Sequence, residues 1–332
     1  MSVVWRATVY MLLVIWSCVC LLPIYWLAIT SIKGAADIDR PPGYMPFVDF
    51  GPSLDAWRFI LFDHNDSLLP RLAHSGLVAS AATALTIGCS CLAIYGLTRC
   101  RLTLRWTALV ATLLPIGAGL GSMMVTGQPS LGFFAAMAGL AMVLAIVLRK
   151  TGPLMPAPVA VAVLLATRIL PPVVLALPLY VFGEALGLRD TLGFLTLVYA
   201  AINLPVAVWL LLPILGPRAR DQEEAAQIDG ASHLTIVFTI LLPMVRPGVI
   251  AVSLIVFLLS WNEYLFAAYL TFDHALTLPP WAIGQLSMKE AQVGGGPEEL
   301  AHLAAATIVM ILPALGFAAF CLKSFGRAVQ ER

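Results

Sequence analysis

Between Arg6 and Lys33 the chain carries no charged residue for 26 positions, 7–32. A helix needs roughly 20 apolar residues to cross a bilayer, and the apolar core of a secretory signal holds only about 7–15. This stretch therefore predicts a retained transmembrane helix. Residues 34–74 are polar and rich in Pro and Asp, with Tyr44 and Trp57, and predict an exposed loop with one short amphipathic helix near Leu54–Phe62. A second span is predicted at 75–98, closed by Arg99, Arg101 and Arg105. Trp106 to Leu148 is again uncharged, but Gly127-Gln128-Pro129-Ser130 divides it into spans at about 106–124 and 131–148. Arg149-Lys150 precedes a fifth span at about 157–182, interrupted by Arg168 and by Pro171-Pro172, which kink a helix by withholding N–H donors. Further spans at 191–213, 247–269 and 303–323 bring the total to eight. The loop 270–301, with Gly294-Gly295-Gly296-Pro297, reads as a solvated linker.

Composition agrees with this pattern. The 332 residues are 60% hydrophobic and 11% charged, against roughly 25% charged in soluble domains. The fold class expected is an all-α membrane protein, a single domain of packed helices over 1–332. A net charge of +1 without a basic patch gives no reason to expect nucleic acid as a partner. The six cysteines lie in or beside apolar runs, and the two C-x-C pairs put their sulfurs about 200° apart on a helix. They suggest neither a metal site nor a disulfide framework. Gly117 and Gly121 have the G-x-x-x-G spacing that lets helices approach closely.

Motifs of soluble catalysis are missing: there is no phosphate loop, no H-E-x-x-H and no G-x-S-x-G, and the five histidines are dispersed. Energy for any transport must then come from an ion gradient or from another subunit.

Eight spans place both termini and the loop after 213 on one side. Eleven Lys and Arg lie on that side (Arg6, Arg99, Arg101, Arg105, Arg149, Lys150, Arg218, Arg220, Lys323, Arg327, Arg332) and six on the other (Lys33, Arg40, Arg58, Arg71, Arg189, Lys289). The excess of positive charge marks the first side as cytoplasmic.

On that side lies 217–247, which concentrates four of the eighteen acidic residues between oily spans. Asp221 with Glu224 three residues on has the spacing of a capping box. Ala225 and Ala226 remove bulk so that another surface can approach the backbone. Gly230 suits a left-handed cap. Ser232 can start a second helix, whose Leu234, Val237, Ile240 and Leu241 would face the bundle, with Pro243 and Pro247 bracketing its exit. On these grounds alone the segment is either a well-capped surface hairpin or a docking device.

The spacing E-A-A-x-x-x-G-x(9)-I-x-L-P stands here as Glu224-Ala225-Ala226, Gly230, Ile240 and Leu242-Pro243. It resembles the signature of membrane subunits of bacterial binding-protein-dependent ABC importers. Leu170-Pro171-Pro172, Pro178-Leu179-Tyr180, Gly187-Leu188-Arg189-Asp190-Thr191, Asn203-Leu204-Pro205 with Trp209, and Trp261-Asn262-Glu263-Tyr264 resemble the maltose-type carbohydrate branch. The resemblance covers 9–100 and 165–323. It implies a type I ABC importer-like bundle with a six-span core, so the pair at about 106–148 would be an insertion. It also implies that the E-A-A helix seats in a cleft of a cytoplasmic ATPase dimer. Glu224 would be the anchoring charge, Ala225 and Ala226 the contact face and Gly230 the turn, with Asp229, Ile240, Leu242 and Pro243 completing the coupling segment. A second permease subunit, an extracytoplasmic solute-binding protein and the inner-membrane bilayer are the other implied partners. The chain would bind no cofactor and have no ATPase site of its own, ATP-Mg being held by the partner. The tail Lys323–Arg332 lacks the glycine-rich ending usual in that branch.

Ionisable residues inside spans are costly to bury without partners. Arg168 near mid-depth of its span, and Glu263 in the middle of the seventh with Trp261 and Asn262, are candidates to line a translocation path. Arg168 would pair with Glu263 or with carbonyls freed by Pro171-Pro172. An interhelical polar clamp is the other reading of the same residues. The leading expectation is a permease subunit for a carbohydrate or polyol. Another small solute, or an ion-coupled secondary carrier, are the alternatives.

Overall fold

The computed structural model describes residues 3–38, 43–62, 68–98, 104–107, 110, 139–140, 142–143, 153–215, 220–290 and 298–330. In chain order the described helices are α1 (Val3–Thr30), α2 (Ala35–Ile38), α3 (Asp55–Phe62), α4 (Leu68–Thr98), α5 (Ala157–Ala166), α6 (Pro172–Ala185) and α7 (Leu192–Leu215). They continue as α8 (Arg220–Ile228), α9 (His233–Met244), α10 (Arg246–Trp261), α11 (Leu265–Leu270), α12 (Leu278–Glu290) and α13 (Glu298–Gln330). Two short strands, β1 (Leu104–Arg105) and β2 (Leu154–Met155), pair antiparallel, Leu104 opposite Met155 and Arg105 opposite Leu154. That ribbon brings together the two ends of the segment read as an insertion. The predicted spans 106–124 and 131–148 lie almost wholly outside the described residues.

Among the described residues four helices are long and apolar enough to cross a membrane: Val4–Thr30, Leu68–Thr98, Leu192–Leu215 and Glu298–Phe317. Two bent pairs qualify together, Pro158–Ile169 with Pro172–Ala185 at 85° and His233–Met244 with Arg246–Trp261 at 92°. Residue contacts divide the chain into two units, 1–73 with 277–332, and 74–276.

In the first unit α13 packs on α1, α3 and α12. Helix α1 exposes nearly all of its apolar side chains, as a helix meant for lipid or a partner does. Two of its hydroxyls are hidden along the helix itself, Thr8 Oγ1 donating to Val4 O and Ser17 Oγ to Leu13 O. His302, buried, stacks on Phe59 with ring centroids 4.0 Å apart and planes 7° from parallel.

In the second unit α7 is the common wall of two apolar cores. One joins Ile87, Cys91 and Ile94 of α4, Ala207, Val208 and Leu211 of α7, Ile236, Val237 and Leu241 of α9, and Val252 and Val256 of α10. The other joins Val78 and Ala82 of α4, Ala176 of α6, Leu195, Val198 and Tyr199 of α7, and Phe266, Ala267 and Leu270 of α11. Helices α7 and α10 approach closely at Gly248, where an added Cβ would sit 2.9 Å from Ile214 Cγ2. Only hydrogen fits there.

Four expected boundaries move. The second span starts at Leu68, not 75, taking in Pro70 at its first turn, where a missing N–H costs nothing. The loop 270–301 contains helix α12. The eighth helix runs from Glu298 to Gln330, not 303–323, because two glutamates stabilise its first turn. The seventh is not continuous over 247–269: it stops at Trp261 and restarts at Leu265.

Candidate functional site

The acidic segment after α7 folds as a helix, a glycine turn and a second helix. Helix α8 begins at Arg220, so Asp221 lies inside its first turn and is not the cap that its spacing suggested. The Asp221 side chain is outside the described residues. Glu223 is buried, at 2% exposure. It reaches a cavity of about 10 Å³ lined by Cys91, Ile94, Tyr95, Thr98, Leu215, Val237 and Leu241. Ala226 packs half-buried against the same core. The opposite face is open: Glu224, Ala225, Gln227 and Asp229 are exposed, and Ile228 is 87% exposed.

Gly230 has φ +81°, a backbone conformation that side chains disfavour. Its N–H donates to Gln227 O at 3.1 Å, and Ala231 N–H reaches back to Ala226 O at 2.9 Å, which is how a left-handed cap satisfies the last carbonyls of a helix. Ser232 then caps α9, its Oγ accepting from Thr235 N–H at 3.2 Å. Helix α9 widens to π geometry over Ile236–Leu241. Pro243, which has no N–H, follows one residue later, after Leu242. Ile236, Val237 and Leu241 are buried, Ile240 and Leu242 half-buried and Pro243 exposed. Leu234, expected inward, is 60% exposed, because the wider turn shifts the inward face to Ile236. Tyr95 Oη and His233 Nδ1 are hydrogen-bonded at 3.0 Å, tying the start of α9 to the end of α4.

The second set of candidates gathers where helices break. Past α5 the chain makes one 3₁₀ turn, Thr167–Ile169, and bends at Pro171-Pro172. This turn presents Arg168, exposed, whose Nη2 donates to Asn203 Oδ1 at 2.9 Å. Asn203 is buried in α7 and donates from Nδ2 to Ser260 Oγ of α10 at 3.0 Å. One amide thus joins three elements. Arg168 is paired with Asn203, where Glu263 or the carbonyls freed near Pro171-Pro172 were the two expected partners.

Glu263 lies in the link between α10 and α11 and not at mid-helix. Its carboxylate accepts from Phe266 N at 3.0 Å and Ala267 N at 3.2 Å, satisfying the first amides of α11 as a cap would. Its carbonyl accepts from Tyr199 Oη at 3.4 Å. Trp261 is buried, 5% exposed, and stacks on Phe257. Asn262 is exposed and returns its Nδ2 to Leu258 O at 3.0 Å. Of the four candidates, Arg168 and Asn262 are exposed, Glu263 is half-buried, and Trp261 is packed against Phe257.

The sequence motifs include Asn203 and Asp190 but give neither a site role, and Ser260 is absent from them, although an amide inside an apolar helix was an available signal. Asp190 has φ +55° and is 7% exposed. The Asp190 carboxylate accepts four backbone N–H groups, from Phe272, Asp273, His274 and Ala275, at 3.0, 3.2, 2.8 and 3.1 Å. Burial would raise this carboxyl, but the four N–H donors win and hold it below the usual carboxylate range. Beside it Arg189 lies over Tyr180, 4.0 Å from the ring centroid, and pairs with Glu184. No group of His, Cys, Asp or Glu suited to a metal occurs among the described residues.

Residues 158–328 match the family described as binding-protein-dependent transport system inner membrane component. The trehalose/maltose transport system permease protein MalG of Thermococcus litoralis is 26% identical over 301 residues, 90% of this chain and 87% of that one. The sulfoquinovosyl glycerol transport system permease protein SmoH of Agrobacterium fabrum is 27% identical over 260 residues, 78% of this chain and 72% of that one. Among solved structures, a bacterial ABC transporter that imports the acidic polysaccharide alginate superposes with a TM-score of 0.61 at 16% identity. The match covers 97% of this chain and 96% of that one. At that identity the likeness is one of fold.

Proposed function

We infer that this chain, which belongs to the family of binding-protein-dependent transport system inner membrane components, is the permease subunit of an ATP-driven carbohydrate importer. It is a multi-pass protein of the inner membrane. It works with an ATPase subunit and a binding protein, and carries no ATPase site of its own.

Helix α8 is the coupling helix, its Glu224–Ala225–Ile228 face seated on a cytoplasmic ATPase dimer that holds ATP-Mg. The observation that carries this is the two-sidedness of α8. Glu223 and Ala226 are tucked against the core while an isoleucine stands 87% exposed beside Glu224. An isolated surface hairpin has no use for that isoleucine. Burying it would stabilise docking by about 1.5–3 kcal/mol. Displacement of α8 passes into the bundle because α9 is built into the core of α4, α7 and α10 and is tied to α4 through Tyr95–His233. A rigid, well-capped lever of this kind suits the inward- and outward-open alternation of importers.

A second permease subunit completes the path, both termini lie in the cytoplasm, and Arg168 and Asn262 face the passing carbohydrate or polyol. An ion-coupled carrier is the weaker reading, since Arg168 and Glu263 hold separate partners and form no charge pair. Affinity purification in a mild detergent tests the assignment. An ATPase subunit bearing a phosphate loop and a second permease should co-elute with this chain. Elution of the folded chain alone, under conditions that hold related importers together, overturns it.

A further inference from the structure

A cavity of about 370 Å³ opens between the end of α1 and the start of α13, lined by Trp26, Leu27, Thr30, Lys33, Ile38, Leu300, Leu303 and Ala304. Its size is that of a ligand pocket rather than a packing defect. Its walls are apolar apart from the Thr30 hydroxyl and the Lys33 ammonium. Lys33 is only 7% exposed, and no hydrogen-bond acceptor for its Nζ occurs among the described residues. The ammonium instead lies 5.6 Å from the Trp26 ring centroid and 5.1 Å from that of Phe50. Asp49 is the carboxylate that feels this charge, but its Oδ2 is taken by Tyr44 N–H at 2.8 Å and Met45 N–H at 2.9 Å. A cation that offers three donors and is mostly withdrawn from water calls for an anion to complete it.

The place indicates which anion. Lys33 sits three residues beyond Thr30, the last residue of an apolar span, and the span starting at Glu298 begins at the same end. This is the level where a bilayer turns from hydrocarbon to headgroup, and where aromatic rings and long basic side chains near helix ends anchor. We propose that the pocket is a binding site for an anionic phospholipid, with the headgroup phosphate on Lys33 and Thr30 and an acyl chain along Leu27, Leu300 and Leu303.

The experiment uses the full chain purified with its accompanying subunits, stripped of lipid in detergent. It is then titrated with phosphatidylglycerol, phosphatidylcholine or inorganic phosphate, and bound adducts are counted by native mass spectrometry. The expected result is at least a tenfold preference for phosphatidylglycerol over phosphatidylcholine, lost in Lys33→Gln. Leu300→Glu, at a half-exposed position on the pocket wall, keeps the lysine and sets a fixed carboxylate beside it, so it should lose the preference too even if Lys33→Gln misfolds. Equal retention of the two lipids by the wild type, or an undiminished preference in both variants, overturns the proposal. So does binding of inorganic phosphate alone at millimolar concentration with no gain from the lipid. Carbodiimide cross-linking of Lys33 to an acidic residue of another subunit would show a protein partner in the pocket and overturn it as well.

Discussion

Replacing Asp190 by Asn isolates the carboxylate that secures the segment after α11. Oδ1 accepts from Phe272, Asp273 and Ala275, and Oδ2 accepts the shortest bond, 2.8 Å, from His274 N–H. An amide can keep its oxygen on the first three donors, but its NH₂ then opposes the His274 N–H, donor against donor. The backbone is not disturbed, because asparagine tolerates the positive φ of this position well. Hydrogen bonds to charged groups are worth about 1.5–3 kcal/mol each, and an unsatisfied buried donor costs about 1–3 kcal/mol. Losing one bond outright and weakening three gives about 2–3 kcal/mol. Amide hydrogen exchange of the peptide spanning 271–276 reads this locally. At 1.4 kcal/mol per tenfold, protection should fall roughly 30- to 150-fold. Asp190→Ala should lose more, since all four donors are orphaned and alanine disfavours the left-handed backbone. The pH dependence has a definite sign. A carboxyl depressed in the folded state contributes fully above its unfolded pKa, near 3.9, and loses that contribution as pH falls through the lower folded value. The gap between wild type and Asp190→Asn should therefore stay constant from pH 8 to about 5 and close below about 4. Equal exchange of the two proteins at pH 7 would refute the four-bond reading.

The other predictions concern packing, the polar bridge and the exposed face of α8. Gly248→Val would drive a side chain into Ile214, where an added Cβ already sits 2.9 Å from Cγ2. Overpacking of this kind costs about 1–3 kcal/mol, and Ile214→Ala in the same chain should recover much of it, as thermal melts in detergent will show. Asn203→Ala breaks the link from Arg168 to Ser260 and should lower stability by about 1–3 kcal/mol. Asn262→Ala, at an exposed site, should leave the melt within about 0.5 kcal/mol and affect only uptake. Ile228→Asp should fold normally yet weaken ATPase association by at least tenfold in a pull-down titration, since the residue is 87% exposed in the chain itself.

Much of the architecture was legible because a bilayer demands long uncharged runs, and those are visible residue by residue. The break at Pro171-Pro172, the glycine turn at Gly230 and the Ser232 cap each follow from one residue's chemistry. What stayed hidden depends on pairing across distance. Nothing local to Asn203 says that its two bonding ends reach Arg168, 35 positions away, and Ser260, 57 positions away. Glu263 looked like a charge in mid-helix because its neighbours are apolar. The carboxylate in fact ends one helix segment and starts the next by taking the amides of Phe266 and Ala267. Glu223 and Glu224 are adjacent and chemically alike, yet one is buried and one exposed. Only the packing of α8 against the core separates them.

On this reading α8 couples the permease to ATP hydrolysis through its open face. The most direct measurement is carbohydrate uptake and ATP hydrolysis, side by side, in proteoliposomes holding the assembled complex with Glu224→Lys in this chain. Glu224 is exposed, so the variant should insert and fold as the wild type does. Uptake should fall by at least tenfold, and hydrolysis should no longer rise when the loaded binding protein is added. Wild-type uptake with normally stimulated hydrolysis in that variant would contradict it.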